Sequence, residues 1–395
     1  MALTDEFSHV EPETISVSES FSRVLSQDLI ANKNMPGFRR ATMDGYAVAA
    51  QSTFGASESS PAWLDIAGTI LMGQVPEFDL ESGQAVHIST GGMLPKGADS
   101  VVMVEYTQLI DETCVEIYKS VAPLQHVIDS SEDFAKQERV LSKGTFIRPQ
   151  EAGLAAGLGF EQIKVFKKPK VGIISTGDEI IPIDQEPAPG KIRDINSYTL
   201  AGLIKEASAT PVIYGIIKDD PDALKQTIEK ALKETDMLLI SGGSSVGAKD
   251  YTVDVLSTLP DTKILVHGIS VSPGKPTILS KSGKKPVWGL PGQVVSAMVV
   301  LKIVVIPFLN KLKGLENINP AVKVPAKLSR NIASAQGRRD FVRVELINHD
   351  GQMVAKPVLG KSGLIKTMIH ADGLLEIDDN VEGLEKGTIK DIILL

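Results

Sequence analysis

Residues 237–247 read MLLISGGSSVG. A short apolar run that stops abruptly in glycine and serine is the pattern of a buried parallel strand ending in a loop. The same rhythm recurs outward from it. Upstream lies VGIIS at 171–175, followed by Thr176-Gly177-Asp178-Glu179, and a second strand-like run, VIYGII, at 212–217. Leu200, Leu203 and Ile204 have helical spacing, which predicts a helix over Ser197–Ala207. Asp219-Asp220-Pro221 opens another, running to Lys233. Downstream come a helix from Tyr251 to Leu259, the runs ILV and PVWGL, and a long apolar helix after Gly292. Strands alternating with helices predict a parallel sheet with helices on both faces.

The flanks have a different texture. Ser16 and Glu19 show capping-box spacing ahead of Phe21, Val24 and Leu25, predicting a short first helix. From Ala62 to Lys143 the runs WLDIAGTIL, AVHIS, SVVMVEY and CVEIYKSV, broken by Gly, Pro and Asp, predict a β-rich domain. Glu151 to Gly159 reads as a small-residue helix leading into a strand at Ile163–Phe166. After the linker GLENINP, the runs VKVPAKL, FVRVEL, MVAKPVL, LLEI and TIKDIILL predict a C-terminal β domain or barrel. The expected class is therefore multidomain α/β plus β. Four units are expected: residues 1–28 with 141–168, 29–140, 169–312 and 318–395.

Composition narrows the function. The 395 residues carry 41 Lys+Arg against 49 Asp+Glu, a formal charge of −8, so a global basic field for nucleic acid is absent. The single cysteine, Cys114, excludes an intrachain disulfide and a four-cysteine zinc site, and reads as a small buried hydrophobe. The N-terminus has no basic and apolar signal pattern. Met298 to Leu309 is interrupted by Lys302 and Pro307 and reads as too short for a bilayer, hence as a core or interface helix. A soluble cytoplasmic protein with neither membrane nor nucleic-acid partner is expected.

In an alternating α/β sheet, ligands collect beyond the carboxyl ends of the strands. Three loops there share one chemistry: Thr176-Gly177-Asp178-Glu179; Gly242-Gly243-Ser244-Ser245-Val246-Gly247 with Asp250 beyond; and Pro291-Gly292-Gln293. Glycines admit a ligand close to backbone, and helix N-termini favour phosphate or another oxyanion. Asp178, Glu179 and Asp250 would repel that anion unless a hard cation such as Mg²⁺ intervenes, which makes them the candidate metal ligands. SVSPGKP at 270–276 presents Lys275 on a stiff turn suited to an oxyanion. Neither GxGxxG after VGIIS nor GxxxxGK[ST] occurs, so dinucleotide and P-loop readings lose their support. In the β-rich part, ATMDGYAV sets Asp44 in a turn where Gly45 is expected at positive φ, and STGGMLPKGADSVVMVE sets Ser89 and Thr90 before a double glycine.

ATMDGYAV, STGGMLPKGADSVVMVE, STGDEI, SGGSSVGAKDYT, SPGKP, GLPGQVVSA and GRRDFVRVEL occur in this order. In that ordered set, over essentially its whole length, the chain resembles the MoeA/gephyrin family of molybdopterin molybdenumtransferases. The resemblance implies an elongated homodimer with a MogA-like α/β domain and an active site shared between subunits. It implies insertion of molybdate into adenylylated molybdopterin with release of AMP and Mg²⁺ present, and molybdopterin adenylyltransferase and molybdoenzyme partners. By motif match it implies Asp44, Thr90, Asp133, Glu179 and Asp250 as the catalytic set. Ligand holding falls to Thr176, Gly177, Gly242, Gly243, Ser245, Gly247, Pro291 and Gly292, joined by Ser272, Lys275, Ser296, Arg338 and Ser362. The chain departs from the family pattern at Ser272 and Ile128, where a lysine and an arginine are usual, at Ser131, where glycine is, and at Ser244 and Gln293. These departures leave two alternatives, a non-catalytic molybdopterin carrier and a tungstate-selective insertase.

Overall fold

The computed structural model describes residues 2–242, 251–316 and 322–395. The chain divides into two compact units, residues 28–142 with 149–161, and residues 1–27, 143–148 and 162–395.

The first unit is built on six strands: β1 (Gly45–Val48), β2 (Ala62–Ile70), β3 (Gln84–Ile88), β4 (Ser100–Met103), β5 (Thr107–Asp111) and β6 (Cys114–Ile117), in the order β4-β1-β3-β2-β6-β5. Successive strand residues point to opposite faces. Ala47, Val86 and Val101 accordingly fill one core, and Tyr46, Val48, Ala85 and Val102 another. Burial on both faces explains why VVM at 101–103 is continuously apolar rather than alternating. Gly45 does not take the expected positive φ. Its missing side chain serves close approach instead, since a Cβ there would lie 1.9 Å from the Val102 carbonyl oxygen. Cys114 is half-buried rather than buried, and its thiol is pushed up by burial and by Asp111, Asp65 and Glu116. Helix α1 (Pro149–Gly157) begins with proline and stops where Gly159 turns left-handed at φ +84. Phe160 N–H donates to Ala155 O at 3.0 Å and Gly159 N–H to Ala156 O at 2.9 Å, a Schellman closure.

In the second unit the sheet order is β8-β7-β9-β12-β11-β10, formed by β7 (Lys170–Thr176), β8 (Thr210–Ile217), β9 (Met237–Ser241), β10 (Thr262–His267), β11 (Ile278–Ser282) and β12 (Lys285–Leu290). Strands β8, β7, β9 and β12 are parallel, as expected; β11 runs antiparallel to both neighbours and corrects the all-parallel expectation. The cause is local. Ser282 pairs with Lys285, and a link of two residues joins only antiparallel strands.

Helices α2 (Asn196–Glu206) and α5 (Val294–Leu312) cover one face, Leu200, Ile204, Val300 and Leu301 packing with Val171, Ile173 and Leu239. Helices α3 (Pro221–Glu234) and α4 (Tyr251–Thr258) cover the other, with Leu224, Ile228 and Leu256 on Ile174, Leu238 and Ile240. Each such leucine or isoleucine contributes about 1.5–3 kcal/mol by leaving water. Asp220 Oδ1 caps α3, accepting from the N–H groups of Asp222 (2.9 Å) and Ala223 (3.2 Å) ahead of a proline first turn.

Helix α5 begins four residues before Met298, and its 19 residues are long and apolar enough to cross a membrane, contrary to the shorter segment read from the sequence. It is 56% buried within the fold, where Val300, Leu301, Val305 and Leu309 are inaccessible. A π-turn at Leu301–Val305, with Ile306 N–H donating to Leu301 O, absorbs Pro307 without ending the helix.

Strands β13 (Lys323–Leu328), β14 (Arg339–His349), β15 (Gln352–Pro357), β16 (Gly373–Ile377) and β17 (Ile389–Leu394) close into a ring, β14-β15-β13-β17-β16 and back to β14. Val344, Ala355, Leu375 and Ile392 fill its interior. The expected first helix is absent. Ser16 Oγ caps only a single 3₁₀ turn, Val17–Glu19, and Ser22 is left-handed at φ 62. Val24 and Leu25 are buried by bridging Phe146 and Val165, while Phe21 points outward at 58% exposure. Strand pairing claimed the apolar residues that would have formed the helical face.

Candidate functional site

Strands β7, β9 and β12 end side by side, at Thr176, Ser241 and Leu290, because their parallel register aligns their carboxyl ends. Beyond them a cleft of about 1390 Å³ opens between these ends and the barrel's leading edge. It is lined by Thr176, Gly177, Glu179, Gly242, Pro291 and Gly292 from the three glycine loops. Ser272, Lys275, Ser296, Arg338 and Ser362 also line it. Every one of these was named from sequence. Gly243, Ser245, Gly247 and Asp250, with Ser244, Val246 and Lys249, lie outside the described residues.

The loops require their glycines. A Cβ on Gly242, whose φ is +110, would sit 2.2 Å from Thr176 O and 2.7 Å from Thr176 Oγ1. Glu179 folds back over Gly177, its Oε2 reaching 2.7 Å from where a Cβ would be. Thr176 is 4% exposed, and its hydroxyl lacks a hydrogen-bond partner among the described residues. A buried donor left unpaired on a cleft wall marks where a ligand oxygen would be accepted.

Asp178 is not a wall residue. It is exposed, its carboxylate accepts from the Asp219 N–H at 3.3 Å, and its carbonyl accepts from Lys191 Nζ at 2.6 Å. Asp219, which sequence reasoning placed only at a helix start, does line the cleft. Its carboxyl is pushed above the usual range by burial and then by the charges of Asp178 and Glu179. Among the described residues, no three His, Cys, Asp or Glu side chains form a group close enough to hold a metal unaided.

On the opposite wall, the SPGKP turn exposes Lys275 and is pinned by Thr277 Oγ1 donating to Gly274 O at 2.7 Å. Ser272, standing where a lysine is usual, pairs through its backbone with Asp340 on β14. Arg338 Nε lies 3.1 Å from Asp340 Oδ1, and Ser334 Oγ donates to Asp340 Oδ2 at 2.6 Å, so a buried carboxylate anchors a half-exposed guanidinium at the cleft. Gln293 takes the N-cap position of α5 without a side-chain capping hydrogen bond. Val295 N–H in that first turn donates to Ser362 O at 3.0 Å, joining the GKSG loop to the helix that carries Ser296. A second omission from the sequence reading is Asn196, buried on the cleft wall at the start of α2. The turn formers of IRDINS, with Asp194 three residues before Ser197, were the signal available.

The remaining named residues belong to the first unit. Asp44 and Thr90 are brought together, Asp44 Oδ1 accepting from both the N–H and the hydroxyl of Thr90. Those two bonds, backbone first, hold the Asp44 carboxyl below its usual range. Asp133 is exposed on a loop whose backbone N–H donates to Met35 O at 3.1 Å. Ile128 pairs with Arg40, and Ser131 adopts φ 63, the backbone that a glycine would occupy without strain.

Comparison with known proteins agrees over the whole chain. Residues 1–159 match the MoeA N-terminal region (domain I and II), 172–311 a probable molybdopterin binding domain, and 325–395 the MoeA C-terminal region (domain IV). The chain is 39% identical to a Methanocaldococcus jannaschii protein assigned to molybdopterin biosynthesis, covering 96% of this chain and 92% of that one. It is 30% identical to the molybdopterin molybdenumtransferase of Bacillus subtilis, over 98% and 90% of the two chains. The crystal structure of the molybdopterin biosynthesis MoeA protein from Pyrococcus horikoshii OT3 superposes with a TM-score of 0.86 at 32% identity, covering 100% of this chain and 97% of that chain. With every segment matched in order and the fold shared end to end, the chain belongs to the MoeA family.

Proposed function

We propose that this protein is a molybdopterin molybdenumtransferase that inserts molybdate into adenylylated molybdopterin, yielding molybdenum cofactor and releasing AMP. The observation that carries the reading is the cleft at the carboxyl ends of β7, β9 and β12, where glycine loops, Lys275, Arg338 and Glu179 converge. Similarity to the molybdopterin molybdenumtransferase of Bacillus subtilis over nearly the whole chain supports it.

Two anions must be held together for this chemistry, an oxometalate and a phosphorylated pterin. Lys275 and Arg338 offset their repulsion, Lys275 as a point charge and Arg338 as a fork. Gly177 and Gly242 let backbone approach the phosphates, and the Thr176 hydroxyl donates to an oxygen there. Glu179 and Asp219, both on the cleft wall, are hard oxygen donors, and the Asp219 carboxyl is pushed upward by burial first and then by the charges of Asp178 and Glu179. These two carboxylates would hold a Mg²⁺ ion, a cation that is commonly bound through one or two carboxylates. When bound, that ion supplies charge neutralisation at the pyrophosphate. Glu179, which lines the cleft, would accept a proton from water as the phosphoanhydride opens. The proposal includes a cytoplasmic homodimer, in which a second copy of the chain contributes Asp44, Thr90 and Asp133.

The test is to supply adenylylated molybdopterin, Mg²⁺ and molybdate, and to follow AMP and reconstitution of a cofactor-free molybdoenzyme. Both should appear. Binding of the pterin without AMP release, with molybdate and with tungstate, would replace the enzyme by a carrier. AMP release with tungstate alone would make it a tungstate insertase.

A further inference from the structure

We propose that Asn196 is a positioning residue that sets the spacing of the loops around the cleft, an inference that rests on the function proposed above. Its amide nitrogen donates to Ser241 Oγ at 2.7 Å and to Gly292 O at 2.8 Å, and the residue is only 6% exposed. One side chain at the head of α2 therefore ties the end of β9 to the loop after β12. The tie runs where the two glycine loops come near each other, since a Cβ on Gly292 would stand 3.5 Å from Gly242 Cα. The turn carrying Asn196 is itself fixed to β7. Ser175 Oγ donates to Asp194 Oδ1 at 3.1 Å, and Asp194 Oδ1 also accepts from Ser197 N–H at 3.0 Å. Three strand ends are thus joined through six residues.

The chemistry of the clamp is specific. A carboxamide has two N–H donors, and both are used here, one on a strand end and one on a loop. Aspartate has the same shape and no donor. In its place the Gly292 carbonyl would face a carboxylate and be pushed away. Gly292 directly precedes the N-cap of α5, so its displacement moves the helix turn that carries Ser296. The clamp acts on ligand binding through geometry rather than by touching reacting atoms.

Asn196→Asp in the full-length protein is the test, with Ser241→Ala as a second variant that deletes one acceptor and adds no charge. The expected result for Asn196→Asp is a rise of about tenfold in KM for adenylylated molybdopterin, the scale of one lost hydrogen bond, with a smaller change in kcat. Ser241→Ala should raise KM about two- to fivefold on the same scale. Thermal midpoints should stay within a few degrees of wild type. Hydrogen–deuterium exchange of the amides at 291–295 should quicken in both variants without any ligand. That readout separates the two claims. A wild-type protein without turnover would defeat the proposed reaction, and the exchange rates would still decide the clamp. Unchanged KM and unchanged exchange in folded Ser241→Ala and Asn196→Asp would overturn it. If Asn196→Asp fails to fold, Ser241→Ala alone decides, unchanged exchange at 291–295 again overturning the clamp.

Discussion

Asp44 Oδ1 accepts two hydrogen bonds from one residue, the backbone N–H of Thr90 at 2.7 Å and its hydroxyl at 3.0 Å. Bonds to the charged form favour ionisation, so the folded carboxyl titrates below its unfolded counterpart. Its contribution is present above the unfolded carboxyl's range and is lost as pH falls through the folded one. Thr90→Val keeps the N–H and removes the hydroxyl, and should move the Asp44 carboxyl part of the way back upward in a carbon-detected NMR titration. An unmoved titration would mean that the hydroxyl bond is absent in solution.

Gly45 should not tolerate a methyl group. Val102 O stands 1.9 Å from the position of its Cβ, and backbone cannot give way as a side-chain tip can. Gly45→Ala should cost about 2–3 kcal/mol in urea unfolding, the upper part of the overpacking range. Gly55→Ala, at φ +83 in open space, should cost only about 1 kcal/mol from backbone strain.

Ser131→Gly should stabilise the protein. Serine at φ 63 holds a left-handed backbone that costs about 1 kcal/mol, offset in part by the entropy a glycine loses on folding. A net gain of about 0.5 kcal/mol, read as a higher urea midpoint at unchanged slope, is expected.

Lys313 is 6% exposed, donates to Ala207 O at 2.6 Å, and is pulled down by burial from 10.5 to about 8. Between those values the unfolded chain binds a proton that the folded chain does not, so stability rises with pH across the window, by about 3 kcal/mol. Lys313→Met should flatten that rise and add about 1–2 kcal/mol at pH 7, where the charged amine is buried at a cost. Urea titrations at pH 7 and pH 10 measure both.

The α/β domain was legible because its strands are buried on both faces and end in glycine, so MLLIS and VGIIS announce both element and site. Hairpin strand β11 was not read, because ILSKS is short and half polar, and only the pairing of Ser282 with Lys285 fixes its direction. The false helix at Ser16 had good local spacing, but burial of Val24 and Leu25 through bridges outweighed it. Among site residues, Thr176 and Lys275 stand out by glycine turns and charge, whereas Arg338 is marked only by the family motif it sits in. Asn196 and Asp219 escaped because what matters is which distant loops they meet, Gly292 for the one and Asp178 for the other.

If the protein works as proposed, the pterin substrate is held in the strand-end cleft. A crystal structure of the full chain with adenylylated molybdopterin tests this most directly. Its phosphates should lie against Thr176, Gly177 and Gly242, within reach of Lys275 or Arg338. Density for the ligand elsewhere, with these residues unchanged and the cleft holding only water, would contradict it.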